Sequence, residues 1–315
     1  MSTYLRAEVL KIAIESVLNQ TFENWRLIII GDATYADSKN VIDSVNDKRI
    51  QFINLPKNFG DQSIPNSIGA RLCTTEYLAF MSQDDLWYPN HLSRAINSLN
   101  QTNCDFYISS YLRVQSARHS EDAFVLNDRY LTGKEKFSPT RDWEYVASTW
   151  VLRTELARKA GDWKSARDVR YASSQDYLFR CWASGARILL SPSQPSVLIV
   201  PSIALEHSYS VESSNVHKKL FHRISLGVEV ATSPTVIVCN SLHPSKIRAL
   251  QSWPENKNRL FVFRWWWTKT VIFLIFHITV SIIVRIGVSP WEYAALLSGV
   301  KRGFHKKLLN GLRGL

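Results

Sequence analysis

The chain has 315 residues, with 38 Lys and Arg against 27 Asp and Glu, and so a net charge of +11. At 45% hydrophobic and 21% charged residues, with a mean hydropathy of −0.13, it is neither a disordered chain nor a polytopic membrane protein. The length suits one domain with an extension or two smaller domains, and 12 Gly and 11 Pro exclude collagen-like or low-complexity character.

The first 200 residues alternate helix and strand signals. Leu10, Ile14, Val17 and Leu18 follow helical spacing, which stops at Asn19-Gln20-Thr21. Trp25–Ile30, followed by Gly31, reads as a buried strand. Asp37 is placed to cap a second helix carrying Val41, Ile42 and Val45. Ile50–Leu55 and Tyr77–Met81 read as further strands, the latter running into Ser82-Gln83-Asp84-Asp85. Pro89 opens a helix with Leu92, Ala95, Ile96 and Leu99 on one face, and Phe106–Leu112 reads as a fourth strand. Alternation of this kind argues an α/β layered fold with a largely parallel sheet. In such sheets ligands bind beyond the carboxyl ends of strands. Asp32 and the Asp84-Asp85 pair both stand just past a strand's end, so one crevice could hold both.

Charge divides the chain. From His243 to Leu315 there are twelve Lys/Arg and two acids, Glu255 and Glu292, so this stretch holds ten of the eleven net positive charges. The spacing predicts a body over 1–242 and a basic, apolar helical tail over 243–315, with the boundary near Pro244, Pro254 and Asn256. Within the tail, Trp265-Trp266-Trp267 precedes the apolar run Val271–Val284, which Lys269 and Arg285 bound closely. A spanning helix needs about 20 apolar residues. An interfacial helix on an anionic membrane surface fits better, with Trp at headgroup depth. A helix closing the body's own core and a true span are the alternatives. Nucleic acid is not an expected partner, because the aromatics stand in a block beside aliphatics instead of alternating with the basic residues.

Cys73, Cys104, Cys181 and Cys239 lie far apart with no CxxC pair. That argues against a zinc ribbon or a disulfide scaffold and for a reducing compartment. No secretory signal is expected at the start.

Three acidic sites could carry chemistry. Asp84 and Asp85, adjacent at a strand end, repel each other, and a divalent cation such as Mg²⁺ or Mn²⁺ would relieve that. A solvated turn capping the next helix is the plainer reading. Asp32 after Ile28-Ile29-Ile30-Gly31 could accept hydrogen bonds from a base or ribose, or could satisfy its own turn. Asp176, in Ser174-Gln175-Asp176, could be a general base at a helix start, or an anion favoured there by the helix dipole.

Taken in order, these segments resemble glycosyltransferase family 2 over roughly residues 1–190. Thr3-Tyr4-Leu5-Arg6 with Ala13–Thr21 resembles its opening helix, and Leu27–Thr34 its second strand and acidic nucleoside turn. Gly60, Pro65–Arg71 and Glu76–Phe80 resemble its third block, and Met81–Pro89 its metal-binding motif. Ala160–Trp163 and Gln175–Arg180 resemble the acceptor-side turn and the block holding the base. The resemblance implies a GT-A-like, Rossmann-like α/β/α fold and an inverting transfer from a nucleotide-sugar donor to a glycan or lipid-linked acceptor, in cell-envelope polysaccharide or lipid-linked glycan synthesis. It implies Asp176 as catalytic base, Thr3, Asp32, Asn66 and Asp84 on the nucleotide-sugar, and Asp84 and Asp85 on a divalent cation. The enzyme is expected in the cytoplasm, peripheral at the inner face of the cell membrane.

The sequence departs from the family pattern in several places. Met1-Ser2 stands where the first apolar strand should end, so an N-terminally truncated domain with a gap beside Trp25–Ile30, or another segment filling it, is expected. Leu5 replaces the usual Asn, Pro65-Asn66 the usual Arg-Asn, and Ser82 and Gln83 stand where a further acid is common. Gln175-Asp176 replaces Glu-Asp and keeps the carboxylate. The missing strand also makes a second reading reasonable, a non-catalytic chain that binds membrane or a partner without turnover.

Overall fold

The computed structural model describes residues 1–117, 120–129, 137, 145–170, 172–191, 194–200, 212–225, 235–238, 284, 287, 289–297 and 299–303. The first half alternates strand and helix: β1 (Ser2–Thr3), α1 (Ala7–Leu18), β2 (Leu27–Gly31), α2 (Ala36–Val45), β3 (Ile50–Asn54), α3 (Ser63–Leu72) and β4 (Tyr77–Ala79). Then come β5 (Leu86–Trp87), α4 (His91–Gln101), β6 (Phe106–Ile108), β7 (Tyr111–Ala117) and β8 (Ser120–Arg129). A 3-10 turn (Ala147–Thr149) leads into β9 (Trp150–Arg153), α5 (Thr154–Ala160), α6 (Ser173–Ala183), β10 (Ile188–Leu190) and β11 (Val197–Ile199). Beyond these lie α7 (Glu212–Ser225), β12 (Thr235–Val238) and a last helix, α8 (Pro290–Leu297).

The strands form three sheets, ordered β1-β2-β3, β10-β6-β9-β4 and β12-β8-β7-β11-β5. The first is parallel throughout. In the second, β10 pairs parallel with β6, while β9 enters antiparallel between β6 and β4. Leu10, Ile14 and Ile29 are fully buried in the main core, where burying one such side chain is worth about 1.5–3 kcal/mol. A second cluster gathers Phe80, Trp150, Trp163 and Tyr177 in edge-on and stacked ring contacts beneath α6.

The edge of β2 facing β4 is met from Ile28 onward: Met1 N donates to Ile28 O at 2.8 Å and Ile30 N donates to Met1 O at 2.9 Å. Ser2 and Thr3 pair with Ile30 and Gly31, and Ser2 also bridges Ser82. Among the described residues no other strand pairs with β2 on that edge, and the Ser2–Ser82 bridge ties β1 to the turn that follows β4.

Several boundaries differ from the expectations above. Trp25 is not in the strand; its ring lies under the Arg49 guanidinium, 3.7 Å from the ring centroid. Tyr35 is the N-cap residue of α2, and Asp37 falls in its first turn. Phe106–Leu112 is two strands in two sheets. The break is at Ser109-Ser110, where Ser109 N donates to Thr149 O at 3.0 Å and Ser110 Oγ donates to Ser191 O at 2.9 Å. Gly31 is required by packing: a Cβ there would lie 2.5 Å from Asn54 Oδ1 and 2.9 Å from Thr34 Cγ2.

The tail is described in part. Glu292 of α8 accepts hydrogen bonds from Arg170 N at 2.8 Å and Arg170 Nη1 at 2.9 Å, and Gly303 N donates to Val169 O at 3.0 Å. Some of the basic extension therefore docks on the body. Trp265–Trp267, nearly all of Val271–Val284, Lys306, Lys307 and the expected boundary near 240–258 lie outside the described residues. Among the described residues no helix is long and apolar enough to cross a membrane.

His91, at the start of α4, is fully buried against the Trp87 ring, with Nδ1 2.9 Å from Ser196 Oγ. Burial keeps the imidazole neutral and pushes its pKa down to about 3. An unfolded histidine titrates near about 6.5, so this group favours the fold fully above that pH. The contribution is lost as pH falls from about 6.5 toward 3, at about 1.4 kcal/mol per pH unit. Thermal melts at pH 7 and pH 5 should show a large acid-side loss in the native chain and a smaller one in His91→Phe. Equal losses in both would refute this.

Candidate active site

Asp84 and Asp85 stand one behind the other after β4 but face different surroundings. Asp84 is paired with Arg6, Nη1 to Oδ1 at 2.5 Å, and its side chain is 15% exposed while that of Arg6 is 3% exposed. Arg6 reaches it because Leu5 and Arg6 both adopt left-handed backbone, φ 53° and 55°, turning the chain from β1 into α1. Among the described residues, no hydrogen bond or ion pair occupies Asp84 Oδ2.

Asp85 is buried. Its Oδ2 accepts a hydrogen bond from Ser148 Oγ at 2.5 Å and its Oδ1 one from Val200 N at 3.1 Å. Burial pushes its carboxyl up to about 7, against the downward pull of the Ser148 hydrogen bond. Ser148 also accepts from Ser82 N at 3.0 Å, and its carbonyl accepts from Trp87 Nε1 at 2.8 Å. Asp85 and Ser148 together pin the strand-end turn to the 3-10 turn and to the end of β11.

Thr3 and Asp32 sit at the adjoining strand ends. Thr3 Oγ1 donates to Gln83 Oε1, which also accepts from Tyr4 N at 3.0 Å, while Gln83 Nε2 donates to Tyr4 O at 3.0 Å. Gln83, where a further acid is common in the family pattern, thus joins the first and second sheets through its amide. Asp32 is buried and accepts from Phe59 N at 2.8 Å and Gly60 N at 2.9 Å. Asn66 is buried in α3. That helix also supports the acceptor-side turn, since Ser67 Oγ accepts from Trp163 N at 3.0 Å and Arg71 Nε donates to Asp162 at 2.9 Å.

Asp176 lies in the first turn of α6, its side chain 16% exposed between two cations. Lys164 Nζ donates to Oδ1 at 3.0 Å and Arg180 Nε to Oδ2 at 2.8 Å. Arg180 is itself held by Asp162 O at 2.7 Å and by Ala160 O.

A crevice of about 200 Å³ is lined by Ser82, two positions before Asp84, by Ser174 and Gln175, just before Asp176, and by Arg113, Tyr145 and Ser148. Ser82 Oγ accepts from Asp84 N at 3.4 Å and Ser148 Oγ donates to Asp85, so the Asp84-Asp85 turn adjoins the crevice through these two serines. Thr3, Asp84, Asp85 and Asp176 are not themselves among its lining residues. Asp32 stands at the neighbouring strand end.

Sequence reasoning missed Ser148 and Arg113, and it gave Arg6 no role. Arg6 adjoins the Thr3-Tyr4 turn and could have been weighed as a counter-charge. Ser148 carried no local signal, whereas Arg113 is a lone cation in an apolar strand.

Among the described residues no cluster of three or more His, Cys, Asp or Glu groups forms. Mg²⁺ and Mn²⁺ need less, being commonly held by one or two carboxylates together with substrate phosphates. Asp84 Oδ2 fits that demand. Asp85, with hydrogen bonds on both oxygens, supports the turn that presents it.

The α/β body, with Asp32 just past the parallel strand β2 and Asp84 and Asp85 past β4, has a glycosyltransferase fold of the GT-A type. S. aureus TarS 1–349 in complex with UDP has that fold, with a TM-score of 0.53 over 73% of this chain and 65% of that one, at 13% identity. The profile described as Glycosyl transferase family 2 matches residues 1–159, and the chain belongs to that family. Poly(ribitol-phosphate) beta-N-acetylglucosaminyltransferase TarP of Staphylococcus aureus (strain N315) is 34% identical over 115 residues, 35% of this chain and 35% of TarP. UDP-Glc:alpha-D-GlcNAc-diphosphoundecaprenol beta-1,3-glucosyltransferase WfgD of Escherichia coli is 25% identical over 111 residues, 35% of this chain and 44% of WfgD. An uncharacterized glycosyltransferase of Rickettsia bellii (strain RML369-C) is 38% identical over 103 residues, 32% of this chain and 15% of that protein. The chain spans less than half the length of these relatives.

Proposed function

We propose that the protein transfers a sugar from a nucleoside-diphosphate donor to a hydroxyl acceptor, with inversion, in cell-envelope polysaccharide or lipid-linked glycan assembly. The observation that carries this reading is a crevice lined both by Ser82 and Ser148, which contact Asp84 and Asp85, and by Ser174 and Gln175, which precede Asp176 at the start of α6. The acceptor hydroxyl attacks the anomeric carbon as the bond to the diphosphate breaks. Asp176 takes the hydroxyl proton, and the nucleoside diphosphate leaves with the bonding electrons. Lys164 and Arg180 fix the Asp176 carboxylate for that task. A divalent cation at Asp84 would neutralise the charge that grows on the leaving diphosphate.

Asp32 and Thr3 face the nucleoside in this reading, with Asn66 behind them. Asp32 is held by the Phe59 and Gly60 amides, which fixes its carboxylate at the strand end where a base or ribose would lie. Exposed Leu296 and Leu297 on α8, with exposed Lys301 and Arg302 after it, support a body resting on an anionic membrane that carries its acceptor. Each such cation is worth about 1 kcal/mol near an anionic surface.

The test is a donor screen on the full chain, reading nucleoside diphosphate release from UDP-, GDP- and dTDP-sugars with neutral and with anionic vesicles. Release from one nucleotide class, abolished by chelator, with co-sedimentation on anionic vesicles only, is expected. Donor binding without release in any class would favour the non-catalytic reading. Sedimentation indifferent to lipid charge would remove the membrane from it.

A further inference from the structure

β7 enters the core as an apolar strand, with Tyr111, Leu112 and Val114 buried. Arg113 interrupts it and lines the crevice between Ser82 and Gln175. Its Nε is closed off from solvent and has no hydrogen-bond partner. Among the described residues the Arg113 guanidinium makes no hydrogen bond or ion pair. A guanidinium carries five N–H donors and keeps its charge, so leaving it half-buried and unmatched is costly.

The acids around the site do not serve it. Asp85 feels the Arg113 charge, but its two oxygens accept from Ser148 Oγ and Val200 N. Asp84 is held by Arg6, and Asp176 by Lys164 and Arg180. The start of α6, at Ser174 and Gln175, also lines the crevice, and Asp176 in its first turn already answers the helix dipole. The unmatched guanidinium is the feature of this crevice that asks for an anion.

In the function proposed above, on which this step rests, the diphosphate belongs at Asp84 and the attacking hydroxyl at Asp176. The space between them holds the two sugars. We infer that Arg113 is a specificity-determining residue that pairs with an anionic substituent, a carboxylate or a phosphate, carried by the donor sugar or the acceptor. The planar guanidinium fork matches either group with two parallel hydrogen bonds. A neutral sugar would leave the half-buried cation unmatched, and the site would reject it on that ground.

Calorimetric titration of the full chain separates the two sources. UDP, UDP-glucose and UDP-glucuronate form the donor arm. Glucose and glucose 1-phosphate, added with and without saturating UDP, form the acceptor arm. One anionic probe should bind about 10-fold or more tighter than its neutral twin. Arg113→Gln should erase that preference and leave UDP affinity unchanged, and Arg113→Lys should restore part of it. The inference is overturned if neither anionic probe is preferred, or if the preference survives Arg113→Gln. It is also overturned if UDP affinity falls along with the preference, because Arg113 would then serve the diphosphate. If UDP fails to bind the native chain while glucose 1-phosphate alone still shows the Arg113-dependent preference, the proposed function fails and the anion site stands.

Discussion

Asp176→Asn is expected to lower turnover by about 10²–10⁴-fold, the range for loss of a positioned proton acceptor. The carboxylate already receives Lys164 and Arg180, so it is fixed in direction before any substrate arrives. The asparagine keeps the shape and one acceptor oxygen but cannot take the hydroxyl proton. The helix should hold, because its start needs no side-chain cap at this position. Donor affinity should therefore change little. The measurement is single-turnover sugar transfer alongside donor binding by calorimetry. If donor affinity collapses while bound donor still reacts, Asp176 is a positioning group for the 160–164 turn and the proton goes elsewhere.

Asp84→Asn should cut turnover by about 10²–10³-fold, the scale on which a single preorganised electrostatic contact stabilises a transition state. It should also weaken Mn²⁺ binding in the presence of nucleoside diphosphate, read directly by electron paramagnetic resonance. Of the adjacent pair, Asp84 alone has an oxygen without a partner among the described residues. Asp85→Asn is expected to act differently, because it loosens the Ser148 and Val200 contacts and so disturbs the turn. Mn²⁺ binding that survives Asp84→Asn but vanishes with Asp85→Asn would reverse these roles.

Much of the fold was legible because its elements are local. The helical spacing of Leu10, Ile14 and Val17 and the apolar run before Gly31 fix α1 and β2 whatever surrounds them. The 106–112 run misled because its break depends on partners far along the chain, Thr149 and Ser191, that no window around Ser109 contains. The site followed the same division. The acids stand out at strand ends, since a carboxylate there is conspicuous in an apolar context. What each acid touches is set by long-range partners. Nothing near Asp85 announces Ser148, and nothing near Asp84 announces Arg6, 78 positions earlier.

The Ser2–Ser82 bridge has a consequence for how the protein spends binding energy. In the proposed function the nucleoside would rest on the first sheet and the diphosphate at the turn after β4, with the Gln83 amide contacts and this bridge as ties between β1 and that turn. A donor that reaches from Asp32 to Asp84 would straddle that seam and act as a clasp. Part of its affinity would go into holding the two halves in register, so the loaded molecule would be the sturdier one and the empty molecule the one that opens first.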